Sequence, residues 1–366
     1  MTSATASLFA PLALRRGPAW KNRFMLAPLT NLQSGKDGTL SDDEYHWLTK
    51  RAEGGFGAVP TCASHVRERG IGFPGQLGCW SDRHLEGLTR LAARINDEGA
   101  HSIVQLHHAG MRTPHDLIDG APECPSDQEK YGAKGLSTDE VEQLKDDFVA
   151  AARRAERAGF HGVELHGAHG YIISQFLSPE INHRDDQYGG TAENRARILF
   201  DLVERVRDEC RADFSLGVRL SPERFGLDLQ EIVAVAARLL EEGQIDYLDM
   251  SLWDVFKLPH GVDEAGDDPR PLLQYFTELP RGDVRLGAAG NLRSGDDAQR
   301  ALDAGLDFVI VGRGGILHHD FPQQVQANPH FEHAPLPVSR SHLEAEGLGP
   351  AFVDYMSSWD GFVEAA

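Results

Sequence analysis

GVEL (residues 162–165), ILFDLVERV (residues 198–206) and SLGVR (residues 215–219) form one strand–helix–strand unit, and its repetition decides the fold. GVEL and SLGVR are short apolar runs of the length expected for strands buried on both faces. Between them Ile198, Leu202, Val203 and Val206 recur at helical spacing. Outward from this unit the alternation continues. Further strand-like runs lie at residues 23–27, 57–63, 102–106, 247–251, 284–288 and 308–311, which makes eight in all. Helical patterns fall between them, as in Leu85, Leu88, Leu91, Ala92 and Ile95, and in Val141, Leu144, Phe148, Ala151 and Ala155. Ile232, Ala236, Leu239 and Leu240 form another. Ser41 with Glu44 and Ser137 with Glu140 read as capping boxes. Gly99 and Gly159 read as helix stops.

Eight strands in β–α alternation without a composition break predict an α/β fold, a single-domain (β/α)8 TIM barrel. The runner-up, a doubly wound sheet, wants a Gly-x-Gly-x-x-Gly turn after the first strand. Ala27-Pro28-Leu29-Thr30 stands there instead. The barrel is expected over residues 1–334. Residues 335–366 form a C-terminal extension that keeps Phe352, Tyr355, Met356, Trp359 and Phe362, and it is expected to pack on the barrel or on a partner subunit. Long loops at residues 110–136 and 167–191 belong on the catalytic face.

Composition narrows the function. The 366 residues carry 36 Lys+Arg against 56 Asp+Glu, a formal charge of −20. A nucleic-acid binder needs a basic face and a membrane-bound protein a polybasic or long apolar segment, so neither partner is expected. Apolar residues at 41% are enough for a sizeable core. The first twenty residues show no secretory pattern. Cys62, Cys79, Cys124 and Cys210 are scattered, with no C-x-x-C. They read as reduced thiols in a cytoplasmic protein.

The densest chemistry is His166-Gly167-Ala168-His169-Gly170-Tyr171, at the C-terminal end of the fourth strand. Two imidazoles three residues apart can donate to one carbonyl or nitro oxygen. Tyr171, with an ordinary pKa of about 10, can deliver a proton. A metal pair or a structural turn is the bland alternative, but a zinc site wants a third ligand that is not evident. Arg219 ends the fifth strand, where a bound anion and an ordinary salt bridge are equally good partners. Gln105 ends the third strand and offers both a donor and an acceptor, although a satisfied core amide reads as well. Gly290-Asn291 and Gly312-Arg313-Gly314-Gly315 follow the seventh and eighth strands, where such barrels often bind phosphate. His107-His108 reads as a loop pair with His108 near the mouth, residues 31–38 as a turn, and residues 263–268 as a solvated acidic loop.

These residues resemble the old yellow enzyme family of FMN-dependent oxidoreductases. The match is longest over HGAHGYIISQFLSPEINHRDDQYGGTAENRARIL (residues 166–199). It extends to NRFMLAPLT (residues 22–30), WSDRHLEGL after Trp80, QLHHAG (residues 105–110) and VGRG (residues 311–314). The resemblance implies non-covalent FMN at the barrel mouth and NADPH or NADH as reductant. It implies that Ala27, Pro28, Leu29 and Thr30 line the flavin, with the Thr30 hydroxyl tuning its potential, and that Ala63 touches the ring system. Gln105 would bond the pyrimidine edge, Arg219 would stabilise charge near N1, and Gly290, Gly312 and Arg313 would hold the phosphate. His166 and His169 would bind a substrate carbonyl, and Tyr171 would protonate an activated alkene. The family often forms homodimers or homotetramers. A bacterial subgroup with the same histidine pair often has cysteine at the Thr30 position, tyrosine at Leu32 and a C-terminal arginine reaching a neighbouring subunit. The tail here ends WDGFVE (residues 359–364), with no such arginine. Within the superfamily, a dehydrogenase or oxidative demethylase is the alternative activity. The Fe–S relatives are disfavoured because no cysteine follows Cys210. A flavin-free lyase or isomerase barrel would need a catalytic Lys or a metal cluster that the strand ends do not offer.

Overall fold

The computed structural model describes residues 6–262 and 269–365; the expected acidic loop at 263–268 lies outside the described residues. Eight strands close into a parallel barrel. They are β1 (Phe24–Leu26), β2 (Ala58–His65), β3 (His101–His107), β4 (Gly162–Gly167), β5 (Ser215–Leu220), β6 (Tyr247–Ser251), β7 (Arg285–Ala289) and β8 (Phe308–Val311). Each neighbours the next in sequence, and β1 closes on β8 through Phe24 opposite Val309 and Leu26 opposite Val311. This is the (β/α)8 fold read from the alternation. Strand ends move by a residue or two, since β4 and β5 run on to Gly167 and Leu220.

Side chains alternate across each strand, so one parity packs under the helices and the other fills the barrel. Leu216, Val218 and Leu220 of β5 join the large outer core, as do Leu248 and Met250 of β6 and Val309 and Val311 of β8. The other parity carries a small apolar layer, with Tyr247 and Phe308 at the N-terminal ends of their strands. Gly217 and Gly287 leave the space these two rings occupy. A Cβ on Gly217 would lie 2.0 Å from the Tyr247 ring, and one on Gly287 would lie 2.2 Å from the Phe308 ring.

Trp20 completes this end. A backbone pair between Leu12 and Trp20, at 3.0 and 2.9 Å, carries the fully buried indole against the barrel. It meets Phe308 at 4.8 Å and Tyr247 at 5.7 Å, edge to face. Further along the same inward parity come the polar residues Gln105, Glu164, His166, Arg219, Asp249 and Ser251. The apolar layer therefore sits at one end and the chemistry at the other.

The Ser137 box forms in full at the start of helix Thr138–Arg157. The Ser41 box forms only by half: Ser41 accepts from the Glu44 amide, but the Glu44 carboxylate turns inward to Asn31 and Ser34. Asn31, expected only in a turn, thus ties that turn to a helix. Neither long loop is structureless. One contains a short ribbon, Glu123–Cys124 beside Lys134–Gly135, and the other contains helix Ile172–Leu177. After the barrel, helices Arg340–Ala345 and Pro350–Ser357 lie against its outside, with Phe352 meeting Trp47 at 4.9 Å. The last residues are pinned to Val338, which donates to the Phe362 carbonyl and accepts from the Glu364 amide.

Candidate active site

A cavity of about 360 Å³ opens at the C-terminal end of the strands. Ala27, Pro28 and Leu29 after β1 form one wall, with Gly312 and Arg313 after β8 beside them. Gly290, Asn291 and Arg293 after β7 form another, and His169, Arg219 and Ser251 the polar floor. Trp253, Trp359 and Phe362 add an aromatic rim, the last two from the C-terminal extension. Thr30, Ala63, Gln105, His166 and Tyr171 are not on this lining. Ala63 and Gln105 are buried on neighbouring strands, opposite each other in register. His166 and Tyr171 stand behind His169.

The histidines and the tyrosine form one cluster. His166 is the last inward-facing residue of β4, and the turn that follows puts His169 at a positive φ of 61°. Their rings meet at 5.0 Å, with His169 Nδ1 3.3 Å from His166 Nε2. His169 Nε2 lies 2.8 Å from Ser251 Oγ. Tyr171 is 5.2 Å from the His166 ring. Burial holds both imidazoles neutral, pushing His169 down to about 3 and His166 well below its usual range. Burial also raises the Tyr171 phenol above its ordinary value. The cluster therefore offers neutral polar groups and one protonated phenol at neutral pH.

His107, read from sequence as part of a loop pair, ends β3 and packs on Tyr171 at 4.3 Å and on His166 at 5.6 Å. His108, expected near the mouth, instead pairs with Glu123 at 3.1 Å. The inward parity of Gln105 and His107 was the available signal. Gln76 fixes the His107 ring. Its Oε1 accepts from the Gly72 amide and its Nε2 donates to the Ala63 carbonyl, so the same Nε2, at 3.0 Å, meets His107 Nδ1 as an acceptor.

Arg219 has the ordinary partner as well as the cavity. Its Nε lies 3.0 Å from Asp249 Oδ2, and the two residues face each other across β5 and β6. Glu164, on the same inward parity of β4, is fully buried and accepts from Gln105 Nε2 at 2.7 Å. Parity along β4 and β6 would have found both acids in the sequence.

At the other end of the cavity, Arg293 and Arg313 have no carboxylate partner among the described residues. Arg313 is pushed down by burial and by the like charge of Arg293. Such a pair suits an anion. Gly312 keeps the floor open beside it. A Cβ there would meet only Ala27 at 3.7 Å and Leu29 at 3.9 Å, so packing does not demand glycine. At Gly290 packing does, because a Cβ would press on the Asp254 backbone at 2.8 Å.

A family model described as NADH:flavin oxidoreductase / NADH oxidase matches residues 7–331. The chain belongs to that family. The probable NADH-dependent flavin oxidoreductase YqiG of Bacillus subtilis is 36% identical over 318 residues, covering 84% of this chain and 84% of the relative. The NADH:fumarate oxidoreductase of Klebsiella pneumoniae is 32% identical over 341 residues, which is 89% of this chain but only 36% of that longer protein. Among solved structures, the old yellow enzyme homologue from Zymomonas mobilis superposes with a TM-score of 0.79 at 28% identity, covering 95% of this chain and 99% of that one. The protein is thus an NAD(P)H-dependent flavin oxidoreductase of the old yellow enzyme type. Among the described residues, no helix is long and apolar enough to cross a membrane.

Proposed function

We propose that this protein reduces the C=C bond of alkenes conjugated to a carbonyl or nitro group. The hydride comes from NADPH or NADH by way of FMN, and the proton comes from Tyr171. The observation that carries this reading is the convergence of neutral His166 and His169 with the protonated Tyr171 beside a cavity whose far end holds two arginines that, among the described residues, have no carboxylate partner.

The residues fit FMN. Arg293 and Arg313 with the open backbone at Gly312 suit its phosphate. Ala27, Pro28 and Leu29 give a flat apolar wall for its ring system, and Arg219 gives a cation for the end that gains charge. In this reading Thr30, Ala63 and Gln105 serve that end as well, and Gly290, on the lining, joins Gly312 and Arg313 at the phosphate. FMN, when bound, supplies hydride transfer in both directions. The chain does the rest. His166 and His169 hold the substrate oxygen and polarise the conjugated bond. Burial keeps both neutral, so their hold does not depend on pH through the physiological range. Tyr171 protonates the carbon next to the activating group, and burial keeps its proton in place until then. The aromatic rim from Trp253 and Trp359 sheds water from the entrance.

The test is the visible spectrum of the purified protein, taken before and after anaerobic NADPH and again with 2-cyclohexenone. A flavin band that bleaches and then returns with the enone is expected. A band that bleaches and ignores enones and nitroalkenes would favour an oxidative dehydrogenase or demethylase. A protein that cannot be loaded with FMN would overturn the reading altogether.

A further inference from the structure

Two buried carboxyls bear on one guanidinium at the base of the cavity, Asp249 in contact with it and Glu164 through charge alone. Glu164 and Asp249 are each fully buried, and Arg219 is 4% exposed between them. The Arg219–Asp249 approach is an ion contact rather than an aligned hydrogen bond, and neither Asp249 oxygen accepts one. Glu164 Oε1 is held by Gln105, while Oε2 has no partner. Among the described residues, neither acid forms an ion pair with any other lysine or arginine. β7 presents Gly287 beside Asp249, and β5 presents Gly217 beside Glu164. Above them stand the neutral imidazoles of His166 and His169, and below them the Tyr247 phenol, which faces the Glu164 carboxyl and is itself held protonated by burial and by both acids. Two ionised carboxylates against one guanidinium would leave a buried negative charge uncompensated, which is strongly unfavourable.

We propose that Glu164 and Asp249 hold a shared proton and act as a redox-linked proton site behind Arg219. The inference rests on the flavin reading for its second half. When the bound cofactor takes two electrons, negative charge develops on the cavity side of Arg219. That charge competes with the carboxylates for the same guanidinium. The pair then binds a proton from solvent, one carboxylate becoming one carboxylic acid. The pair acts on the cofactor through Arg219, so both acids are positioning residues.

The pH window follows from direction. Burial and the neighbouring Glu164 raise Asp249 to about 8, against the lowering effect of Arg219. Burial raises Glu164 as well. Protons bind to the pair as a unit rather than to either acid alone. Reduction raises the pair's affinity further. The extra proton is therefore taken up above about pH 8, where the oxidised protein has begun to lose it.

Two measurements test this. The first is the infrared spectrum of the protein at pH 7, with or without FMN. A protonated-carboxyl band that shifts in D2O and is lost in Asp249→Asn or Glu164→Gln is expected. The second is the FMN midpoint potential against pH. Above pH 8 the wild-type slope should steepen toward one additional proton per two electrons, and at least one of the two variants should lose that steepening. Absence of the infrared band, or equal slopes in wild type and both variants, overturns the proposal. A protein that binds no FMN fails the functional reading instead, and the infrared measurement still decides whether the pair holds a proton. Should a variant not fold, the wild-type band and slope decide alone.

Discussion

Tyr171 owes its chemistry to its neighbours. His107 packs on its ring at 4.3 Å and the Arg112 guanidinium lies 5.1 Å from its centre, while burial keeps the phenol protonated. Tyr171→Phe keeps the ring and removes the proton. It is expected to slow alkene reduction by about 10²–10⁴-fold and to leave reduction of FMN by NADPH unchanged. Stopped-flow measurement of the two half-reactions separates them, and an unaltered oxidative half-reaction would remove Tyr171 as the acid. At this scale the sequence was readable where residues lie close in the chain: the His166–Tyr171 stretch announces itself. Asp249, Glu164 and His107 did not, because they reach the site from separate strands and their neighbours in sequence are ordinary core residues. The aromatic rim was hidden for the same reason. Trp359 lies 106 positions from Trp253 by number, yet both line one cavity.

At the scale of elements, strand parity decides what the barrel can hold. Gly217 makes the point. Its missing side chain is the space filled by the Tyr247 ring, 2.0 Å from where a Cβ would stand. Gly217→Ala is expected to destabilise the fold at the upper end of the roughly 1–3 kcal/mol typical of overpacking. Adding Tyr247→Ala should recover part of the loss, because the two sites couple. Urea unfolding of the single and double variants checks this, and additive losses would refute it. The strands themselves were legible as short apolar runs and the helices as 3.6-residue patterns. What periodicity could not convey was the half-formed box at Ser41. A Ser-x-x-Glu spacing is the same whether Glu44 turns back to the helix start or, as here, inward to Asn31.

For the whole molecule, burial of neutral histidines sets the response to acid. His65 is held at about 4, and His101 and His169 at about 3, each mainly by burial. The unfolded chain takes up protons at these positions from about pH 6.5 downward, and the native state does not until much lower. Stability is therefore fully present above about pH 6.5 and declines as pH falls toward the folded-state values. Each such group costs up to about 1.4 kcal/mol per pH unit in that interval. Exposed carboxylates titrate lower, near pH 4; the buried Asp249–Glu164 pair works the other way, gaining stability as pH falls below about 8, but that single shared proton is outnumbered by the histidines held low. The urea midpoint should fall over that interval, and less steeply in His101→Gln; a flat midpoint in the wild type would contradict it. The barrel is also asymmetric from end to end. Trp20, Tyr247 and Phe308 stopper one end with interlocked rings, so the interior is a cul-de-sac. Traffic to and from the charged base passes through the mouth alone, and whatever sits in that mouth governs how fast the interior equilibrates with water.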